Sequence, residues 1–286
     1  MNALSDVAGI DVGLTFVKPT SGVCRTGDSG DVVRHTYIDR VSRTAALGGE
    51  LIYSVLAIDA PVLPEGKLDY SPRPCEKLFI WGAFQKRCKP GETHVSGTSQ
   101  ALRRSGVETA HALAATVAKE DFDRPFPRVF CGRNIVEAFP NAFLGVSLEE
   151  SAFGSSTARG QKFDWLFDQW LRQGLPEKLR AILCWTREEF WRSVCGNRHH
   201  DERAALICAL TSICVLRGFY VAVGEPVSGY FFLPSWETWA SWARATIDRN
   251  RTDNRLTRPV DVWIDGTRYG KGDKLPGLKP LSSRGN

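Results

Sequence analysis

Apolar residues recur with two periods along this chain. In the N-terminal quarter they fall in short blocks bounded by turn residues. Further on they return every three or four positions. Residues 7–17, 20–26 and 31–38 read as three strands, with Gly13 as a bend or bulge in the first. The separators are rich in Gly, Ser, Asp and Thr, so the pattern predicts an antiparallel meander. A short helix around 41–48, stopped by Gly48-Gly49, precedes a fourth strand at 51–60. A strand–helix–strand step predicts a parallel partner reached by a right-handed crossover. The fourth strand then neighbours the first.

Beyond a Pro/Gly-rich loop at 61–74, the spacing predicts helices over 75–88 and 99–118, with a polar loop at 89–98 between them. A fifth strand spans 129–139 and is closed by Pro140. Residues 160–195 read as helical pieces broken at Gly174-Leu175-Pro176 and near Trp185-Thr186. Residues 201–217 form a helix stopped by Gly218. A hairpin of 219–224 and 230–233 follows, then a Trp-bearing helix at 235–247. Residues 259–272 read as a second hairpin turning at Asp265-Gly266. The prediction is an α/β fold: a mixed five-stranded sheet flanked by helices, in a domain of residues 1–248. A basic extension, 249–286, adds the C-terminal hairpin.

Length allows one large α/β domain, since 286 residues at 43% hydrophobic can bury a sizeable core. The formal charge of +5 is unevenly placed. Residues 249–286 hold nine Lys/Arg against four Asp, which accounts for the whole excess. Such a segment favours polyanions or serves as a solvated tail. The eight Cys form no Cys-x-x-Cys, and no His stands at zinc-ligand spacing from a pair. Reduced thiols and the lack of a leader-like N-terminal segment point to a cytoplasmic protein. The longest apolar stretch, 204–216, is shorter than the roughly 20 residues of a membrane span.

The candidate chemistry lies in carboxylates that interrupt apolar segments. Asp11 in ValAlaGlyIleAspValGly and Asp59 in SerValLeuAlaIleAspAlaPro end strands that otherwise read as buried. Strand alternation places Gly9 on the face of Asp11 and Ala57 on the face of Asp59. Small neighbours leave room for an ion and a substrate backbone. Glu137 stands in the fifth strand between Ile135 and Phe139. Asp201 opens a helix whose one face is Ala204, Ala205, Cys208 and Ser212, all small. That face predicts close approach to another backbone, with Asp201 turned toward the sheet. An Asp at a helix start also caps it and suits its dipole. Two charges about 4 Å apart repel by roughly 4 kcal/mol at an effective dielectric of 20. Gathered carboxylates therefore keep a proton or bind a divalent cation. Oxygen-only ligation selects Mg²⁺ or Mn²⁺. Asp11, Asp59, Glu137 and Asp201 are thus the expected metal ligands and catalytic residues of phosphodiester hydrolysis. Arg73, Lys162 and His200 are the expected phosphate contacts. The Trp-rich late helices favour core packing over base stacking.

Five short pieces together resemble the prokaryotic family called domain of unknown function 429. They are GlyIleAspValGly (9–13), AlaIleAspAlaPro (57–61), ArgProCysGlu (73–76), ValGluAlaPheProAsnAla (136–142) and the run from Asp201 to Thr211. GlyTyrPhePheLeuPro (229–234) resembles its closing strand, so the resemblance spans about residues 8–235. It implies a ribonuclease H-like fold and nuclease chemistry on nucleic acid, DNA or RNA. One departure stands out. Ala204 occupies the position where many members carry a second Asp. Two rivals follow: a non-catalytic nucleic-acid-binding or scaffold protein with a degenerate site, and a phosphotransferase of the actin and sugar-kinase type. The latter needs Gly-rich phosphate loops, which AlaIleAspAlaPro does not supply.

Overall fold

A computed structural model describes residues 7–12, 20–26, 32–47, 51–88, 91–121, 125–153 and 163–277. The expected meander is present as β1 (Val7–Asp11), β2 (Ser21–Thr26) and β3 (Val32–Tyr37), all antiparallel. Helix α1 (Arg40–Leu47) carries the chain over to β4 (Val55–Asp59), which pairs parallel with β1. Gly13, read as a bend, lies outside the described residues.

The span expected as one helix over 75–88 is two: α2 (Pro74–Phe79) and α3 (Gly82–Arg87). Trp81 is extended, with φ −112° and ψ 148°, and Gly82 follows with a positive φ of 61°, so the chain breaks between the two helices. Helix α4 (Gly97–Leu113) is capped by the Ser96 side chain, which accepts from the Ser99 N–H. Strand β5 (Ile135–Ala138) is parallel to β4. Pro140 does more than close it. It begins α5 (Pro140–Gly145), a helix the sequence reading missed, because proline's fixed φ suits the first helical turn. Three helices follow, broken as expected: α6 (Phe163–Arg172), α7 (Leu175–Leu183) and α8 (Glu188–Gly196). Helix α9 (His200–Arg217) is buried along nearly its whole length and ends at Gly218, φ 74°. The Trp-bearing segment near 235 is a single tight turn at 236–238 followed by α10 (Ser241–Arg251).

The expectation of five strands is corrected to nine in one sheet. Both hairpins join it: β6 (Tyr220–Glu225) with β7 (Gly229–Pro234), and β8 (Asp261–Ile264) with β9 (Thr267–Tyr269). The order is β3-β2-β1-β4-β5-β7-β6-β8-β9. Strand β7 runs parallel to β5, and β8 pairs antiparallel with β6. Local turn signals reveal a hairpin but not the distant strand it docks on, so the count was underestimated. Strands β6 and β7 are buried at every residue, as strands covered on both faces are.

Alternate residues of β1 and β4 separate into two cores. Val7, Val55 and Ala57 pack with Ala205, Cys208 and Ala209 of α9. Ala8, Ile10, Leu56 and Ile58 pack on the other face with Leu47 of α1 and Val107, Ala110 and Leu113 of α4. The late tryptophans Trp185, Trp191, Trp236, Trp239 and Trp242 are all buried, as core packing requires.

Candidate active site

Strands β1 and β4 end together. Their parallel register pairs Gly9 with Ala57 and Asp11 with Asp59, so the two carboxylates stand side by side on neighbouring strands. Continued alternation turns both toward the face covered by α9. Helix α9 reaches that face because the strands beneath it carry glycines. A Cβ on Gly9 would lie 2.1 Å from the Ala209 backbone nitrogen and 2.5 Å from the Ala205 carbonyl oxygen. One on Gly22 would lie 1.9 Å from the Asp201 carbonyl oxygen. The Ser212 hydroxyl donates to the Ala8 carbonyl at 2.7 Å. The small-residue face read in the sequence is thus the face that touches the sheet, and its first turn brings Asp201 to Asp11.

The electrostatics follow from this crowding. Burial, then the negative charge of Asp201, push the Asp11 carboxyl up to about 7, against partial relief from His200 and Arg43. Burial, then Asp11 and Glu137, push Asp59 well above the ordinary carboxylate range. Arg43, which the sequence reading overlooked, is buried and donates to Ser21 Oγ at 2.9 Å and Thr109 Oγ1 at 2.7 Å. It shares a helical face with Leu47, an apolar-stripe position where a charge signals a partner.

The first turn of α9 is tied to α6. Arg203 reaches Asp164 at 3.2 Å and Asp168 at 3.1 Å, donates from Nε to the Asn197 carbonyl at 2.9 Å, and lies 4.6 Å from the Phe167 ring centre. His200 pairs through Nδ1 with Asp164 at 2.8 Å. Burial acts to raise Asp164, yet His200 and Arg203 hold it below the ordinary value. His200 is therefore engaged as an anchor of this turn. Glu202 accepts from Asn197 Nδ2 at 2.7 Å.

Two of the expected residues occupy different roles. Glu137 registers with Ile58, not with Asp59, so its side chain faces the opposite side of the sheet from the aspartate pair. There it meets Arg73 through two parallel bonds, Nη1 to Oε1 at 2.9 Å and Nη2 to Oε2 at 2.5 Å, and accepts from the Val62 N–H at 3.1 Å. Burial pushes Glu137 up while Arg73 pulls it back. Arg73 also donates to Glu76 at 3.1 Å and to the Ser228 carbonyl at 2.8 Å. It is 1% exposed and joins the start of α2 to β5 and to the turn before β7. Arg103 completes the network on Thr93 and near Glu76, 3.5 Å away. Its position could have been noticed: Arg103, Gly106, Val107 and Ala110 form one buried stripe of α4 at helical spacing. Lys162 lies outside the described residues.

Among the described residues no group of three or more His, Cys, Asp and Glu is arranged to hold a metal ion. The donors on the aspartate side reduce to Asp11 and Asp59, with Asp201 close enough to act on Asp11 through its charge. All are oxygen ligands. They fit a hard cation that retains water, since Mg²⁺ is commonly held by one or two carboxylates plus substrate phosphates.

Four of the nine basic residues of the C-terminal segment form ion pairs among the described residues. Arg251 pairs with Asp248 at 2.8 Å and donates to the Gly270 carbonyl at 2.6 Å. Arg255 pairs with Asp253 at 2.6 Å, Arg258 with Glu225 at 3.2 Å, and Arg268 with Asp261 at 2.9 Å. No helix among the described residues is long and apolar enough to cross a membrane. All eight cysteines are free. No family model, no curated protein and no solved structure matches this chain.

Proposed function

We propose that this chain is a metal-dependent phosphodiesterase acting on nucleic acid, with Asp11 and Asp59 as its central carboxylates and Asp201 as the third. The observation that carries this reading is the in-register pair at the shared end of two parallel strands, crowded enough to hold Asp11 near 7. Neither carboxylate has its charge offset by a hydrogen bond from the described residues. Desolvated, mutually repelling carboxylates of this kind are stabilised by a divalent cation. Bound there, Mg²⁺ or Mn²⁺ supplies Lewis acidity and an activated water for attack on phosphorus. The protein's part is to fix the two strand ends, to press Asp201 against them through the glycine contacts, and to hold a proton on the pair, where Asp11 and Asp59 would be the ligands of a bound cation.

Further support comes from topology and motif placement. The run β3-β2-β1-β4-β5, a meander continued by parallel strands, is the arrangement a ribonuclease H-like nuclease requires. GlyIleAsp and AlaIleAsp end β1 and β4, ValGluAla lies in β5, ArgProCysGlu leads into α2 and Asp201 opens α9. This gathering favours kinship with the domain of unknown function 429 family. Glu137 acts in this scheme through Arg73 as a positioning residue, not as a ligand. The site has two carboxylates in register and a third beside them, so one tightly held cation suits it better than two.

The decisive assay is Mg²⁺- or Mn²⁺-dependent cleavage of labelled single- and double-stranded DNA and RNA, with Asp11→Asn and Asp59→Asn alongside. Cleavage by the wild type falls by about 10²-fold or more in each variant, the scale expected when a group stabilising transition-state charge is lost. Equal activity in the variants would sink the assignment. Absence of cleavage on every substrate, with the fold intact, favours the scaffold reading.

A further inference from the structure

A cleft opens beside Asp59 on the Glu137 side of the sheet. It encloses about 210 Å³. Whole small-molecule ligands usually occupy roughly 300–1,000 Å³, so this space suits one flat group. Its apolar lining comes from Pro61, Leu102, Phe139 and Phe231. The two phenyl rings lie 5.0 Å apart, and Phe79 braces both at 5.7 Å. The wall is therefore rigid.

Charge narrows the choice of ligand. The described lining contains no Lys, Arg or His. Arg73 and Arg103, the nearest guanidiniums, are buried and engaged with Glu76, Glu137 and Thr93. A phosphate would find no cation among the described lining residues. Four carboxylates line the space, and two of them, Glu76 and Glu137, are neutralised by those arginines. Glu92 remains as an acceptor at its polar side.

We propose that this cleft receives a single nucleobase bearing an exocyclic amino group, stacked on the Phe139 and Phe231 side and donating to Glu92. The inference rests on the phosphodiesterase reading and names the part of the substrate that lies next to the reacting phosphate. Aromatic stacking accepts any base face, while a carboxylate acceptor favours a base edge that presents an N–H donor, which in adenine is the exocyclic amine. Asp59 lines the cleft and also ends β4 beside Asp11, so a base seated here lies next to the strand ends that carry the aspartate pair.

The test uses adenosine, which carries no phosphate, in metal-free buffer, followed by NMR line broadening or equilibrium dialysis. Saturable binding is expected, about tenfold weaker in Phe139→Ala on the usual scale of base–aromatic stacking. Purine riboside, which is adenosine without the amine, binds more weakly than adenosine, and Glu92→Gln narrows that difference. Leu102→Trp fills the cleft without opening a cavity and abolishes binding while the circular dichroism spectrum is unchanged. Any one of three results overturns the inference: no saturable adenosine binding, binding that survives Leu102→Trp, or displacement by tetramethylammonium or inorganic phosphate at the affinity of adenosine. The binding assay needs no catalysis. Cleavage without adenosine binding therefore rejects the cleft and keeps the nuclease, and binding without cleavage does the reverse.

Discussion

Asp11 is the residue on which chemistry and stability meet. Its folded pKa of about 7 stands above the ordinary 3.8, because burial and Asp201 disfavour the charge. The sign of the linkage is then set. The favourable contribution of Asp11 is fully present below about pH 3.8 and is lost as pH rises through about 7. Asp11→Asn removes the charge and keeps the shape. It is expected to raise stability by about 1–3 kcal/mol at pH 8 and to leave it unchanged near pH 4, as read by urea denaturation. Mg²⁺ should raise the wild-type melting temperature at pH 8 and have little effect on the variant. A variant less stable than wild type at pH 8 contradicts the crowded-carboxylate account. Both aspartates were legible because each ends an apolar strand beside small residues. The role of Glu137 was not, because its face depends on a one-residue register difference between β4 and β5 that leaves no trace in the residues themselves.

At the scale of elements, α9 and the strands under it form the unit that assembles the site. The sequence shows a helix apolar nearly all round with one small-residue face, and that face does approach a backbone. Gly9 and Gly22 read locally as weak strand residues; only the packed helix explains them. Gly22→Ala drives a methyl group into the Asp201 carbonyl and must move the first turn of α9. Overpacking of this kind costs about 1–3 kcal/mol and sometimes more. Thermal denaturation should register that loss, and cleavage should fall further than stability because Asp201 shifts away from Asp11. Gly97→Ala is the control: nothing lies within 4 Å of the added methyl, so it is neutral or slightly stabilising. Equal behaviour of the two variants removes the close-approach argument. The two ion pairs of Arg203 to α6 show why this turn holds against the repulsion of its own aspartate.

At the scale of the whole molecule, the C-terminal hairpin extends the sheet, and Arg251 of α10 ties the chain after it by donating to the Gly270 carbonyl. Val262, Trp263 and Ile264 of β8 are buried against β6 and its surroundings. Each such side chain contributes about 1.5–3 kcal/mol by burial, against a typical total of about 5–15 kcal/mol. A chain truncated after Arg258 also bares the β6 edge. It should melt far lower or aggregate, as followed by size-exclusion chromatography and differential scanning fluorimetry. An unchanged melting temperature and elution volume would show that residues 259–286 are a separate extension.

What the sequence determined by itself was local: the meander, the bounds of α1 and α9, the two hairpins, and the aspartates that break apolar runs. Period, turn chemistry and desolvation cost act over a few residues and need no partner. What only the tertiary structure decided was everything set by pairing. Docking of the hairpins raised five strands to nine, and register put Asp11 beside Asp59 while turning Glu137 toward Arg73. Those outcomes depend on contacts between residues far apart in the chain, whose strength lies in the match of two surfaces and not in either segment alone.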